Sequence, residues 1–236
     1  MSRVGVFLQV RLDSTRLPQK ALLPLSGKPV VELAMEALKK VPADVYALVT
    51  DRDSYQELSG YADAVGFETF LGPKEDVLQR YSDAINFFQV DTVIRATGDN
   101  PLVSGECGAQ LLELYNQYQK ESRDERRIDY SGFDGLPVGT GVECVRAEAL
   151  LKASREAESS YDREHVCPYL YTHPDIFKVY RPVAPKECFF PGMRVTLDTY
   201  QDYHRLQTIF NTLYSGKPIT VKQLIRGISQ HHMIAG

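Results

Sequence analysis

Three cations, Arg11, Arg16 and Lys20, fall within ten positions near the start of the chain, in the run Gln-Val-Arg-Leu-Asp-Ser-Thr-Arg-Leu-Pro-Gln-Lys from Gln9 to Lys20. Ser14 and Thr15 add hydroxyls and backbone N–H groups between them. Two guanidinium forks and an ammonium on one loop suit the oxygens of a triphosphate, whose charge they offset. A plain basic surface loop has the same composition, so charge alone leaves both readings standing. A second stretch, Arg-Ala-Thr-Gly-Asp-Asn-Pro-Leu from Arg95 to Leu102, carries Asp99 at the end of an apolar run. Gly98 permits a tight backbone and a close ligand, and Pro101 stops a strand. A carboxylate there suits Mg²⁺, which takes one or two carboxylates plus phosphate oxygens and waters. Taken alone, Gly-Asp-Asn-Pro is also ordinary turn chemistry.

A third stretch, from Arg194 to Asp202, sets Asp198 between a short apolar run and a helix. Asp or Thr is the usual N-cap at such a start, so Asp198 caps, binds metal, or does both. With Asp99 it can hold one Mg²⁺ between the carboxyl ends of two strands. The three stretches together point to phosphoryl or nucleotidyl transfer, which needs positioning and charge stabilisation more than a covalent protein group. Neither a G-x-x-x-x-G-K-[ST] loop nor a G-x-G-x-x-G turn is present, which excludes a P-loop and counts against a dinucleotide oxidoreductase. No Ser-His-Asp or Cys-His nucleophile arrangement is visible.

Positioning these loops requires a strand before each. Val4 to Val10 reads as a strand buried on both faces, Val45 to Thr50 as a second, and Asp91 to Ala96 as another, with a weak strand near Phe67 to Phe70. Helical patterns run over Pro29 to Lys40, Ser54 to Ala64, Lys74 to Gln89 and Glu106 to Lys120. This alternation predicts an α/β fold: a mostly parallel open sheet with helices on both faces, Rossmann-like, with ligands at the carboxyl ends of its strands. The second half is less regular. Val142 to Val145, Phe177 to Tyr180 and Arg194 to Leu197 read as short strands; Ala147 to Glu158, Tyr161 to Thr172, Gln201 to Leu213 and Thr220 to Gln230 read as helices. Glu121 to Arg127 reads as a solvated charged loop. The second half is expected to extend the same sheet and wall the pocket, making residues 1–236 a single domain.

The composition, 43% apolar and 25% charged, is that of a globular protein, and it excludes collagen-like and disordered classes. A net charge of −4 gives no support for general nucleic-acid binding. No stretch approaches the ~20 apolar residues needed to span a bilayer, and no secretory pattern opens the chain. Cys107, Cys144, Cys167 and Cys188 have neither metal-ligand nor redox spacing. They read as reduced core thiols of a cytoplasmic protein.

The segment from Gln9 to Val31 resembles the opening signature of the cytidylyltransferases that make CMP-activated sugars. The segments Glu75 to Tyr81, Thr97 to Leu102, Glu164 to Tyr169 and Leu197 to Thr199 are similar to its spore coat polysaccharide biosynthesis protein F branch. The resemblance covers nearly the whole chain and implies a nucleotide-diphospho-sugar transferase-like fold. It implies activation of a sugar or sugar acid with CTP, giving CMP-sugar and pyrophosphate, in surface polysaccharide biosynthesis. It also implies that Arg11, Ser14 and Lys20, joined by Arg16, bind the triphosphate, that Arg80 helps hold the cytidine, and that Asp99 and Asp198 bind Mg²⁺. Arg11, Lys20 and Asp99 are thus the expected catalytic residues. Thr97 stands where related synthetases place a base- or ribose-contacting residue, often Gln, which leaves cytosine against uracil open. The acceptor is open too. Glu143 is a candidate for sugar hydroxyls, with an ordinary strand-edge carboxylate as the alternative, and His165 is a candidate pocket residue. His231 and His232 read as a solvated pair, and Tyr115 and Tyr118 as a packing stripe. A glycosyltransferase using a nucleotide-sugar and a non-catalytic nucleotide-binding scaffold are the competing functions. CTP and a sugar or sugar acid are the expected partners, with no nucleic acid and no membrane. The oligomeric state is left open, with a homodimer as one option.

Overall fold

In the computed structural model, residues 2–121 and 127–231 are described. The apolar run at the start forms β1 (Val4–Gln9), followed by a two-strand hairpin, β2 (Pro24–Leu25) and β3 (Lys28–Pro29), and by α1 (Val30–Leu38). Then come β4 (Val45–Thr50), α2 (Arg52–Val65), β5 (Glu68–Leu71), α3 (Val77–Phe88), β6 (Thr92–Thr97) and α4 (Gly105–Glu121). The remainder supplies β7 (Tyr130–Gly132), β8 (Glu143–Arg146), α5 (Ala147–Glu156), α6 (Ser160–His165), α7 (Pro168–Thr172), β9 (Val179–Tyr180), α8 (Tyr200–Leu213) and α9 (Val221–His231). The expected charged loop lies outside the described residues over 122–126, and Glu121 ends α4. The expected His231–His232 pair likewise falls beyond what the side chains describe.

Among the described residues one seven-stranded sheet runs β5-β4-β1-β6-β8-β7-β9. The first four are parallel, as expected, and β8 runs antiparallel to both β6 and β7. The chain builds outward from β1 to β5, then returns to lay β6 on the other side of β1. Strand order therefore reverses between β1 and β6, and a crevice opens at their carboxyl ends. The second half adds β7, β8 and β9 to the same sheet.

Apolar side chains of α1, α2 and α4 cover one face of the sheet, and those of α3, α5 and α7 cover the other. A third cluster matters most for the site. It gathers Leu17, Leu25, Val30 and Leu102 against Leu197, Leu206 and Phe210, tying the loop after β1 to α8. Local capping sets the helix starts. Asp51 accepts from Ser54 N at 2.9 Å to open α2, and Asp76 accepts from Gln79 N at 2.9 Å to open α3.

Two expectations fail. Arg194 to Leu197 is not a sheet strand: it makes a single bridge with Val138 and turns Val195 and Leu197 into the third cluster. Tyr161 to Thr172 is not one helix. Val166 takes φ 73°, and Pro168, which has no N–H to continue the ladder, starts a new helix. A β-branched residue in that region stores strain of roughly 1–3 kcal/mol.

Two glycines give opposite expectations. A Cβ on Gly105 would lie 2.0 Å from the Ala37 carbonyl oxygen, where α4 meets α1. Gly105→Ala should therefore cost at least about 1–3 kcal/mol. Gly60, inside α2, has nothing within 4 Å of such a Cβ, and Gly60→Ala should stabilise by about 0.5–1 kcal/mol. Denaturant melts of the two variants beside the wild type check both signs.

Candidate active site

The crevice at the switch between β1 and β6 is a cleft of about 430 Å³. Its border includes Arg11, Ser14, Arg16, Lys20, Arg80, Thr97, Asp99, His165 and Asp198, nine of the ten residues singled out from the sequence.

Lys20 is its centre. The loop after β1 ends in a 3-10 turn, Lys20–Leu22, anchored by Ala21, which packs into the core. The Lys20 ammonium lies 2.6 Å from Asp99 Oδ2 and 3.1 Å from Asp198 Oδ1, and donates to the Leu197 carbonyl at 2.8 Å. Its three donors face three oxygens. Asp99 and Asp198, 99 positions apart in the chain, thus meet at one cation.

Different devices present the two carboxylates. Asp99 follows β6 through Gly98, whose N–H donates to the Gln9 carbonyl at 2.8 Å. A Cβ at Gly98 would sit 2.8 Å from Val10 Cβ, so the two strand ends approach this closely only with glycine there. Asp198 is held from beneath by Leu197, which is fully buried. The capping duty at α8 falls to Thr199, whose Oγ1 accepts from Asp202 N at 3.2 Å while Asp202 Oδ2 accepts from Thr199 N at 2.9 Å. That reciprocal box leaves the Asp198 side chain free for the cleft. Arg194 Nη2 donates to Asp198 Oδ2 at 2.7 Å, and Arg16 Nη2 reaches Oδ1 at 3.4 Å.

The other cations are also matched within the chain. Arg11 Nη2 donates to Glu164 Oε1 at 3.0 Å across the cleft mouth, and its Nε lies 3.3 Å from Asp13. Lys74 lies 3.2 Å from Asp13 and 2.9 Å from Asp53. His165 packs on Tyr161, with ring centroids 4.4 Å apart, and the strained Val166 directly follows it.

Glu143 is used otherwise than expected, while Arg80 borders the cleft as expected and has a second, structural use. Glu143 does not border the cleft: one of its oxygens pairs with Arg95 and the other accepts from the Tyr130 hydroxyl at 2.9 Å. Held in the sheet by these two partners, it serves as a structural carboxylate away from the cleft lining. Arg80 is buried and gives part of its guanidinium to backbone, donating Nε to the Pro73 carbonyl at 2.9 Å and Nη2 to the Lys74 carbonyl at 2.9 Å. It fastens the segment before α3, and burial lowers its pKa. Tyr115 is core and Tyr118 stacks on Tyr180, as the packing reading had it.

The sequence reading missed Gln9, Arg95, Asn100 and Glu164. One signal was available: Arg95 is a charge inside the otherwise apolar strand Thr-Val-Ile-Arg-Ala-Thr. Burial opposes its charge, but the Glu143 carboxylate more than offsets this and raises its pKa above the ordinary value. Burial and Glu143 likewise raise the Tyr130 hydroxyl and the Cys167 thiol. The four cysteines are buried and free.

Two carboxylates already gripping Lys20, with Arg11 and Arg16 at the mouth, form a donor set suited to a divalent ion with an attached polyphosphate. No group of three or more His, Cys, Asp or Glu suited to a metal occurs among the described residues. Such an ion would thus need ligand oxygens beyond the two aspartates. Among the described residues no helix is long and apolar enough to cross a membrane.

The chain is similar to known proteins along nearly its whole length. The family model described as cytidylyltransferase matches residues 6–232. An uncharacterized protein, MJ1063 of Methanocaldococcus jannaschii, is 31% identical over 99% of this chain and 93% of its own length. Spore coat polysaccharide biosynthesis protein SpsF of Bacillus subtilis is 28% identical over 95% and 93%. A 3-deoxy-manno-octulosonate cytidylyltransferase of Francisella tularensis is 30% identical over 48% of this chain and 46% of its own. The solved structure of a cytidylyltransferase from Leptospira borgpetersenii superposes with a TM-score of 0.88 at 26% identity, covering 98% of this chain and 96% of that one.

Burial opposes ionisation of Asp198, yet bonds from Lys20 and the nearby Arg16 charge hold its carboxyl below the usual range. A folded pKa below the unfolded value of about 3.9 contributes stability that is present above that value. It is lost as pH falls through the folded one. The melting-temperature difference between wild type and Asp198→Asn should therefore be largest near neutrality and shrink below about pH 4. Thermal melts across that range read it directly.

Proposed function

The chain belongs to the cytidylyltransferase family, and on that premise we propose that it joins the CMP moiety of CTP to a hydroxyl of a sugar or sugar acid, for a surface polysaccharide. The observation that carries this is the Lys20 ammonium clamped between Asp99 and Asp198 at the topological switch point. The similarity to SpsF, a spore coat polysaccharide protein, supports the pathway class, and the octulosonate cytidylyltransferase supports a sugar acid as acceptor.

The acceptor oxygen attacks the α-phosphorus, the bond from that phosphorus to the bridging oxygen breaks, and pyrophosphate leaves while the hydroxyl proton is released. Arg11, Arg16 and Lys20, with the hydroxyls and N–H groups of Ser14 and Thr15, hold the triphosphate and take up charge on the departing pyrophosphate. Asp99 and Asp198 are the residues that would hold Mg²⁺, which supplies charge neutralisation on the phosphates when bound. Without it, Lys20 keeps the two carboxylates together and so keeps their repulsion from opening the cleft. His165, beside the mouth, borders the space left for the acceptor.

Calorimetry should show CTP binding in the presence of Mg²⁺, and a panel of sugar acids should include one that releases pyrophosphate from CTP. Lys20→Ala and Asp99→Asn should each lower kcat/KM by about 10²–10³-fold. Wild-type protein that binds no CTP, or variants that bind and turn over as well as it does, would overturn the reading. A nucleotide-sugar consumed without pyrophosphate release would point to a glycosyltransferase instead.

Arg11 must leave Glu164 to reach a phosphate. Glu164→Gln should therefore tighten pyrophosphate binding severalfold while leaving the melting temperature almost unchanged, since exposed ion pairs contribute only about 0–1 kcal/mol. Parallel titration and melting of the variant test this.

A further inference from the structure

Arg95 is a charge in the middle of an apolar strand, and its partners show what it does. Its Nε donates to Gln9 Oε1 at 3.0 Å, its Nη1 pairs with Glu143, and the Tyr130 hydroxyl closes the far side of Glu143 at 2.9 Å. Gln9, Arg95, Glu143 and Tyr130 lie on β1, β6, β8 and β7, which are successive neighbours in the sheet. A polar relay thus crosses four strands and ends at Gln9, on the floor of the cleft. A guanidinium only donates, so the Gln9 atom that faces Arg95 is its carbonyl oxygen. This fixes the amide orientation and turns its NH₂ away from Arg95. Among the described residues no protein acceptor takes those two N–H groups.

Thr97 stands opposite Gln9 in the β1–β6 register. Its Oγ1 already accepts from Asn100 Nδ2 at 2.7 Å, which leaves its O–H to donate. The floor therefore offers two neighbouring donors. Val10 and Val77 supply the apolar side chains of the same lining. A flat heterocycle with two adjacent in-plane acceptors fits such a floor.

We propose that Gln9, with its amide held by the Arg95–Glu143–Tyr130 relay, reads the pyrimidine ring of the nucleotide together with Thr97 and selects cytosine over uracil. Neutral cytosine presents N3 and O2 as adjacent acceptors. Uracil carries a hydrogen on N3, which would face a donor and leave both groups unpaired, a loss of about tenfold or more in affinity. Gln9 is the specificity residue; Arg95, Glu143 and Tyr130 are positioning residues that act through it. The inference rests on the transferase reading above and names the base-selecting element of that site.

The test is calorimetric titration of the whole chain with CTP and with UTP, both with Mg²⁺, for wild type, Gln9→Glu, Arg95→Lys and Tyr130→Phe. Wild type should prefer CTP by about tenfold or more. In Gln9→Glu one carboxylate oxygen stays on Arg95 and the other presents an acceptor to the ring, so the CTP/UTP preference should fall at least about tenfold, toward UTP. Arg95→Lys keeps a charge for Glu143 but loses the Nε that pins Gln9. Its affinity for CTP should drop while that for UTP stays, a change in ratio that general destabilisation does not produce. If Arg95→Lys melts below the assay temperature, Tyr130→Phe carries the same expectation with a smaller fall. An unchanged ratio in Gln9→Glu, equal binding of CTP and UTP by wild type, or an unchanged ratio in the folded relay variants would each overturn the proposal while leaving the transferase reading intact. Wild type that binds neither nucleotide would remove the transferase reading and this inference with it.

Discussion

One ammonium group holds the site together. Lys20 brings a carboxylate from the end of β6 and another from the segment before α8 to a single point. Two carboxylates brought that close repel each other unless a cation stands between them. With Lys20 there, both stay oriented toward the cleft. The geometry of the whole crevice follows from keeping that cation in register, which is why its backbone is pinned by Ala21 on the core side and its side chain by the Leu197 carbonyl on the other.

The sheet alone would not achieve this. Asp99 comes directly from a parallel strand, but Asp198 lies outside the sheet and depends on the third apolar cluster, where Leu17 and Leu197 are both buried. That cluster couples the basic loop to α8 independently of the two main sheet faces. A segment remote in sequence from the loop is thereby packed against it. The capping box at Thr199 completes the arrangement by relieving Asp198 of a backbone duty.

The parallel half was legible because its signals are local. Val45–Thr50 is the strand read from the sequence, and α2 and α4 differ from their expected spans by one or two residues at each end. The basic loop, Asp99 and Asp198 each had an ordinary loop, turn or cap reading, and were singled out because polar residues directly follow apolar runs in all three stretches and their chemistries fit one ligand. What the sequence did not reveal depends on pairing at a distance. Arg194 to Leu197 has the alternation of a strand, yet it pairs only through one bridge to Val138, and its apolar residues go to the third cluster. Glu143 looks like a free edge carboxylate until β6 is laid beside it and Arg95 claims it. The break near Val166 had a signal in Pro168, which the expected single helix ran through, whereas the strained backbone at Val166 itself has none.

The cations at the cleft mouth already hold internal partners: Arg11 has Asp13 and Glu164, Arg16 and Lys20 have Asp198. An arriving polyanion therefore exchanges one set of counter-charges for another and finds no bare cations to neutralise. Few mobile salt ions are released in that exchange. Nucleotide affinity should consequently decline with ionic strength far less steeply than the number of basic side chains in the loop suggests.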